Sequence, residues 1–208
     1  MRSLKKLQFE VKSEAEAMSV ATHHFKLNPN YIKLDIVEKK GMFGLKKSYD
    51  VTASIEVDLL DLGYGLLRQM LEDMGIKAEV SGEVDTETQT IAYTIESPDN
   101  PLLIGRGGKT LEGIQFYLRN VINLYTEERT MVVLDIGGYK ENRRRQLEIL
   151  ATKTAKEVAR TGVATTLKPM NAYERRIVHT KLADWRDVST VSEGETPNRY
   201  LVIRPKKR

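Results

Sequence analysis

Three glycines lie within four residues of one another in the segment LLIGRGGKT, residues 102–110. Gly105 and Gly108 have no Cβ, so a phosphate can approach the main chain closely there, and positive φ angles are accessible. Arg106 and Lys109 add positive charge beside them. A segment of this kind can bind the phosphates of a nucleotide in an enzyme, or the sugar-phosphate backbone of RNA.

The enzymatic alternative is a P-loop NTPase, which requires the pattern G-x-x-x-x-G-K-[ST]. Gly108, Lys109 and Thr110 supply the end of that pattern, and Asp135 after an apolar strand imitates its magnesium ligand. The first glycine would have to stand at position 103, which is Leu103. The loop is therefore too short to surround a phosphate, which argues against this alternative.

The competing interpretation is a KH loop, in which Gly-x-x-Gly joins two helices and clamps about four backbone nucleotides. The helix after the loop would offer free N–H groups and the positive end of its dipole. The bases would lie over the apolar groove between the helices and the adjoining sheet, where Ile104 and Leu111 are candidates for contact. Under this interpretation the RNA-binding residues of the loop are Gly105, Arg106, Gly107, Gly108 and Lys109.

A second candidate site lies in the segment YERRIVHTKL, where Arg175 and His179 are four residues apart. This spacing puts both on one face of a helix. An arginine can bond a phosphate through two N–H groups, and an imidazole can add a hydrogen bond or stack on a base. Ordinary surface helices also produce this spacing, and His179 could instead be packed in the core.

Charge is distributed unevenly along the chain, although the total is only +4. Residues 1–57 hold 10 Lys and Arg against 7 Asp and Glu, residues 58–137 hold 6 against 14, and residues 138–208 hold 17 against 8. A nucleic acid would be attracted to the last of these segments. A basic helix is, however, also typical of a solvated face.

The acidic middle segment raises an objection to RNA binding, because phosphate contacts depend on cations. Arg106, Lys109 and Arg119 would have to form a local positive patch beside the glycine loop. Otherwise this segment binds RNA weakly, or serves mainly as a surface for pairing with another protein.

The hydrophobic pattern predicts an α+β protein of three small domains in series, over residues 1–57, 58–137 and 138–208. The first is predicted to be a strand, a helix and a hairpin. The second has the order αββααβ, in which the Gly-x-x-Gly loop joins the last two helices as in a KH domain. The third contains a long helix, a short strand or turn, a capped helix and a closing hairpin.

Two features of the first domain bear on its structure and contacts. Ser13 and Glu16 have the spacing of a capping box at the start of a helix. A glycine-rich turn exposes Met42 and Phe43, which could contact a partner, although such a turn more often packs against its own sheet.

Composition excludes several classes of function. The chain has 208 residues, 40% of them apolar, and no cysteine, which excludes cysteine zinc sites, iron–sulfur clusters and thiol catalysis. It has no apolar run long enough to cross a membrane. We therefore expect a cytoplasmic protein without membrane insertion, and we expect no metal, no cofactor and no catalytic activity.

Several longer stretches together resemble one family. They are KKGMFGL, LLIGRGGKTLEGIQF, VVLDIGGYKENRRRQLEILA and MNAYERRIVH followed by SEGETPNRYLVI. In this order they are similar to the signatures of the bacterial Jag family, also called SpoIIIJ-associated or KhpB-like proteins. The resemblance implies a Jag N-terminal domain, a type II KH domain and an R-x-x-x-H domain that binds single-stranded nucleic acid.

The same resemblance implies a non-enzymatic, cytoplasmic RNA-binding protein linked to cell elongation and envelope regulation, sometimes paired with a small KH-domain partner. It assigns RNA contacts to residues 105–108 and to Arg175 and His179. Two departures from the family pattern stand out. Gly107 occupies a position where many members carry a polar or basic residue, and the connection between the first two domains is short, which suggests a compact arrangement.

The prediction from sequence is an adaptor that holds single-stranded RNA at two points, so that linkage multiplies two weak affinities. The alternative is a protein-interaction scaffold in which the acidic KH domain pairs with a second copy or with a small KH-domain protein, and the turn at Met42 and Phe43 docks a partner. Replacing Gly105 and Gly108 by aspartate is expected to repel phosphate and weaken RNA binding without unfolding the domain.

Overall fold

The computed structural model describes residues 4–40 and 47–206. The chain divides into two compact units, Met1–Gly137 and Gly138–Arg208. The second unit begins at Gly138, the second of two adjacent glycines. The glycine-rich turn with Met42 and Phe43 lies outside the described residues.

The first unit begins with an antiparallel sheet whose central strand is the third along the chain. Phe9 and Ile36 both pair with Val51 from opposite sides. The alternation of apolar and polar residues turns one face of this sheet toward a helix. The elements are β1 (Lys6–Val11), α1 (Glu14–Phe25), β2 (Ile32–Lys40) and β3 (Lys47–Ile55).

The capping box predicted from Ser13 and Glu16 is wrong. Ser13 is the N-cap residue of α1, but its side chain makes no capping hydrogen bond. The N–H of Glu16 instead donates to the backbone carbonyl of Ser13 over 3.2 Å. The Glu16 carboxylate accepts from the N–H of Lys12 at 3.3 Å, one residue before the cap.

The rest of the first unit has the order αββααβ, which confirms the order predicted for a type II KH fold. The central strand of its sheet is antiparallel to one neighbour and parallel to the other. Leu67, Leu118 and Leu134 are fully buried between the helices and the sheet. The elements are α2 (Leu59–Asp73), β4 (Glu79–Asp85), β5 (Thr90–Glu96), α3 (Asn100–Ile104), α4 (Lys109–Asn123) and β6 (Met131–Ile136).

Two backbone contacts join the start of β1 to the residues after α4. Leu4 forms an antiparallel bridge with Thr126. The N–H of Lys5 donates to the carbonyl of Tyr125 over 3.0 Å. The two sheets of the first unit are thus linked through the main chain, in keeping with the compact arrangement suggested by the short connection.

The second unit is a helical pair packed on a small antiparallel sheet, in which the last strand is central. Leu147, Val178 and Ile203 are among the side chains of its core. Asn171 and Glu174 form a capping box at the start of the second helix. The elements are α5 (Tyr139–Thr161), β7 (Thr165–Thr166), α6 (Ala172–Leu182), β8 (Val188–Glu193) and β9 (Tyr200–Pro205).

Residues 4–40 and 47–206 contain neither a helix that could span a membrane nor a cluster of potential metal ligands. No helix there combines the length and apolar character needed to cross a lipid bilayer. No group of three or more His, Asp or Glu side chains there has the arrangement of a metal site.

Candidate nucleic-acid interface

The glycine loop connects two helices, α3 and α4, in a sharp bend built from positive φ angles. Gly105, Gly107 and Gly108 have φ of 70°, 64° and 80°. Gly108 is the N-cap residue of α4 and provides no capping side chain. The first N–H groups of α4 therefore carry no side-chain cap and can bond an anion.

The three glycines have different surroundings. A Cβ built on Gly105 would overlap the hydroxyl oxygen of Thr110, whereas one on Gly107 would meet nothing within 4 Å. Gly108 is buried, and Gly107 is exposed. The surface that a phosphate can approach is therefore the outer side of the bend, at Gly107 and its neighbours.

This geometry corrects the expectation that aspartate at Gly105 and Gly108 leaves the fold intact. At Gly105 any Cβ collides with Thr110. At Gly108 the residue is buried and has φ of 80°. Substitution at either position would strain the bend itself, because residues with a side chain rarely adopt such φ angles.

Of the three cations expected to form a positive patch beside the glycine loop, two lie at the bend and the third lies far along α4. Arg106 and Lys109 are exposed beside the bend. Arg119 lies ten residues further along α4, about 15 Å away along the helix axis. Its guanidinium instead lies 5.5 Å from the centroid of the Phe116 ring.

Of the two apolar residues expected to contact bases, Leu111 is not available. Its exposed fraction is 3%, because it belongs to the buried side of α4. Ile104 is half-buried at the end of α3 and can be reached from solvent. The expected contact with Leu111 is therefore wrong.

The order of elements also distinguishes the loop from a P-loop. A P-loop follows a β-strand, whereas this loop follows the helix α3. Leu103, which stands where the P-loop pattern needs its first glycine, is fully buried. Leu103 is thus part of the core and is not available to a phosphate.

Arg175 and His179 lie on one side of α6, next to its buried stripe. One guanidinium nitrogen of Arg175, Nη1, donates to the carbonyl of Met170 over 2.8 Å. Nδ1 of His179 lies 2.5 Å from the hydroxyl oxygen of Thr190 on β8. His179 is exposed, which rules out a histidine packed in the core.

These contacts orient both side chains and leave polar atoms for a ligand. Arg175 uses one of its five N–H groups on Met170. The hydrogen bond at Nδ1 fixes the orientation of the His179 ring and leaves Nε2 on the other side. Thr190 could not be found from the sequence, because it comes from another element and has no fixed spacing to His179.

Glu174 anchors the start of α6, the helix that carries Arg175 and His179. Its carboxylate accepts from the Arg143 guanidinium at 2.6 Å and also closes the capping box with Asn171. The Glu174 side chain is only 7% exposed. An anchored helix start holds Arg175, one residue on, in a defined position.

The charge pattern suggested a basic second unit without identifying which surface carries the charge. In the structure, two adjoining grooves lie between α5 and α6. They include Tyr173 and Arg176, which the sequence analysis did not single out. The sequence feature that could have identified them is an aromatic residue and a cation in the same helical segment as Arg175.

Comparison with known proteins identifies relatives of both units. The family of R-x-x-x-H domains, named for an arginine and a histidine with three residues between them, matches residues 145–205, which cover most of the second unit. The RNA-binding protein KhpB of Clostridium symbiosum is 32% identical over 199 residues, 94% of this chain and 90% of that protein. The RNA-binding protein KhpB of Bacillus subtilis is 29% identical over 198 residues, 92% of this chain and 94% of that protein.

A third relative matches only in part. The RNA-binding protein KhpB of Lactiplantibacillus plantarum is 33% identical over 141 residues, which is 68% of this chain and 43% of that protein. The matches to the first two relatives extend through both compact units. By sequence, by fold and by these relatives, the chain belongs to the Jag family of KhpB proteins.

Proposed function

We propose that this protein binds single-stranded RNA without catalysing a reaction on it. The observation that carries the proposal is the open bend at the start of α4, where Gly107 faces free space between two exposed cations. A phosphate at this bend meets uncapped N–H groups and the positive end of the helix dipole. This is the arrangement by which a KH loop clamps a nucleic-acid backbone.

A second contact is proposed at Arg175 and His179 in the second unit. The guanidinium binds a phosphate, and the imidazole donates a hydrogen bond or stacks on a base. Two contacts on one chain raise the affinity for a strand that reaches both, because the second binding event becomes intramolecular.

The proposal extends to the role of the protein in the cell. Its relatives are named as RNA-binding proteins. We place this chain in the cytoplasm as a post-transcriptional regulator connected to cell elongation and the envelope. Within it, residues 1–57, 58–137 and 138–208 act as Jag N-terminal, KH and R-x-x-x-H domains.

The test uses two substitutions at Gly107 that differ only in charge. Gly107→Asp and Gly107→Asn place side chains of similar size at a position with φ of 64°, which Asn and Asp tolerate better than other residues. We expect the aspartate to weaken binding of a fluorescent oligouridylate about tenfold relative to the asparagine, since it repels phosphate. Fluorescence anisotropy at fixed salt measures both affinities.

The two variants also separate binding from folding. Their circular dichroism spectra and melting temperatures should agree with each other, because the site is open. Equal RNA affinities of the aspartate and asparagine variants, at a salt concentration where the unsubstituted protein binds, would contradict a phosphate contact at this bend.

A second candidate function is a protein-interaction scaffold. Phe116, Tyr117 and Leu124 on and just after α4 are 60%, 47% and 59% exposed, which is a large apolar surface for one helix. A second copy of the chain or a small KH-domain protein would cover it. Crosslinking in cells that recovers proteins but no RNA would favour the scaffold over the RNA-binding protein.

A further inference from the structure

A surface of the second unit that neither candidate site uses lies between α5 and α6. It consists of two adjoining grooves of about 360 and 530 Å³ that share Glu148 and Lys181. We call this surface the α5–α6 groove. Its charged lining residues are Arg144, Arg145, Glu148, Lys153, Lys156, Arg176 and Lys181.

This groove is distinct from the surface that carries Arg175 and His179. The buried stripe of α6 consists of Glu174, Val178 and Leu182. At 3.6 residues per turn, Arg175 and His179 flank that stripe on one side. Ile177 and Lys181 flank it on the other side, where they line the groove. A ligand in the groove therefore meets different side chains from one at the Arg175–His179 pair.

The charge of the groove is strongly unbalanced. Glu148, the one carboxylate among the described lining residues, is shared by Arg144 at 3.1 Å and Lys181 at 3.9 Å. These two cations neutralise it, so that it does not oppose an anionic ligand.

Three further cations of the groove are not held in ion pairs. Within the described residues, Lys153, Lys156 and Arg176 form no ion pair with a carboxylate. Arg145 does have a partner, Glu141 at 3.1 Å, which stands outside the lining. The groove therefore offers unsatisfied positive charge from both helices, and this charge favours a polyanion.

Exposed apolar surface lies among these cations. Ile149 and Tyr173 line the two grooves and are 69% and 61% exposed. An aromatic ring beside cations is the combination that binds single-stranded nucleic acid, because bases stack on the ring while phosphates meet the charges. From Arg145 to Lys156 the groove follows α5 for about 16 Å, which accommodates more than one nucleotide.

We propose that the α5–α6 groove binds the sugar-phosphate backbone of single-stranded RNA, with Tyr173 stacking on a base. The proposal rests on the RNA-binding function proposed above and adds a third contact surface to it. Its binding is sequence-independent, because cations and an aromatic ring read no base edges.

The test compares two charge-matched double variants of the full chain. Lys156→Gln with Arg176→Gln removes two unpaired cations of the groove. Lys168→Gln with Arg186→Gln removes one lysine and one arginine that are exposed in the same unit and do not line the groove. Circular dichroism checks that both variants are folded.

The measurement is the affinity for a fluorescent oligouridylate over a series of salt concentrations. Each phosphate contact contributes about 0.7 to the slope of log affinity against log salt for a single strand. The groove variant should therefore show a slope less steep by about 1.4 and an affinity at low salt reduced about tenfold. The control variant should keep the slope of the unsubstituted protein.

Each other outcome is decisive. An equal change in both variants would show that only overall charge matters, and would overturn the proposal. If the groove variant matches the unsubstituted protein while Gly107→Asp still weakens binding, the groove is not an RNA site and the proposed function stands. If the unsubstituted protein does not bind the oligouridylate, the proposed function fails, and this inference fails with it.

Discussion

Gly63 lies against Tyr93 in the first unit, and the fold depends on their close approach. The Tyr93 hydroxyl donates to the carbonyls of Leu59 and Leu60, over 3.1 and 3.0 Å. Burial raises the pKa of this phenol, which keeps it protonated as a donor. A Cβ on Gly63 would overlap the hydroxyl oxygen. Gly63 has a low intrinsic helix propensity, but its missing side chain leaves the space that the Tyr93 hydroxyl occupies beside α2.

Gly65, two residues later, provides a matched comparison. A Cβ there meets nothing within 4 Å, and the residue is exposed. We expect Gly63→Ala to lower the free energy of unfolding by about 1–3 kcal/mol through overpacking. Gly65→Ala should raise it by about 0.5–1 kcal/mol, because alanine restricts the unfolded chain and favours the helix. Urea titration measures both, and a stabilising effect of Gly63→Ala would contradict the contact.

Sequence reasoning located residues that are defined by local pattern. The bend of the glycine loop was predicted because Gly-x-x-Gly is a property of a few consecutive residues. Leu111 was misassigned, because the side of α4 that is buried depends on the sheet behind it. Thr190 was missed for the same reason, since its contact with His179 exists only after β8 packs beside α6.

At the level of elements, α6 carries one candidate site and lines a second surface, so its anchoring matters. In the capping box of Asn171 and Glu174, the side chain of each residue accepts a hydrogen bond from the backbone N–H of the other, at the first turn of α6. The buried carboxylate of Glu174 also ties α6 to α5 through Arg143. This ion pair holds the relative position of the two helices.

Glu174→Gln removes the charge of this ion pair while preserving the size of the side chain. We expect a loss of about 1–3 kcal/mol in the free energy of unfolding, because Arg143 is left partly buried without its partner. The control is Glu141→Gln, whose partner Arg145 is 69% exposed; exposed pairs contribute little. Thermal unfolding by circular dichroism compares them, and equal melting temperatures would contradict the anchoring role of Glu174.

Hydrophobic periodicity was sufficient to predict most elements. Helices α2 and α4 and strands β4 and β5 follow from the spacing of apolar residues alone. The capping box at Ser13 failed because the backbone carbonyl of Ser13 accepts the N–H of Glu16 that its side chain was expected to bind. Sheet order could not be predicted, because it depends on contacts between strands far apart in sequence.

On the scale of the whole molecule, the boundary between the two compact units is also the boundary between an acidic and a basic part of the chain. The first unit has 16 Lys and Arg against 21 Asp and Glu, and the second has 17 against 8. The excess positive charge that would attract a polyanion is therefore in the second unit. At the glycine loop of the first unit, an anion would meet only local N–H groups and the two cations Arg106 and Lys109.

Unfolding should report two cooperative units. The main-chain contacts of Leu4 and Lys5 with the segment after α4 couple both sheets of the first unit. We expect two transitions in calorimetry, with Gly63→Ala lowering one melting temperature and Glu174→Gln the other. Three transitions, with residues 1–57 melting separately, would contradict this coupling.

The whole-molecule organisation was only partly visible in the sequence. Gly137 and Gly138 stand on either side of the division between the units, and two adjacent glycines interrupt both helix and strand. The contact between Lys5 and Tyr125 could not be predicted, since no local pattern links residues so far apart. The serial order of motifs nevertheless predicted the family, because several long matches in one order are specific.

At the bend before α4, different residues determine the backbone shape and the electrostatic charge. Gly105 and Gly108 are confined to glycine by a close contact, burial and their φ angles. Arg106 and Lys109 are exposed and can change without rebuilding the turn, whereas Gly107, with φ of 64°, accepts Asn or Asp with less strain than other residues. Substitutions at Arg106 and Lys109 should therefore change the electrostatic potential of the bend in small steps and leave its backbone shape unchanged.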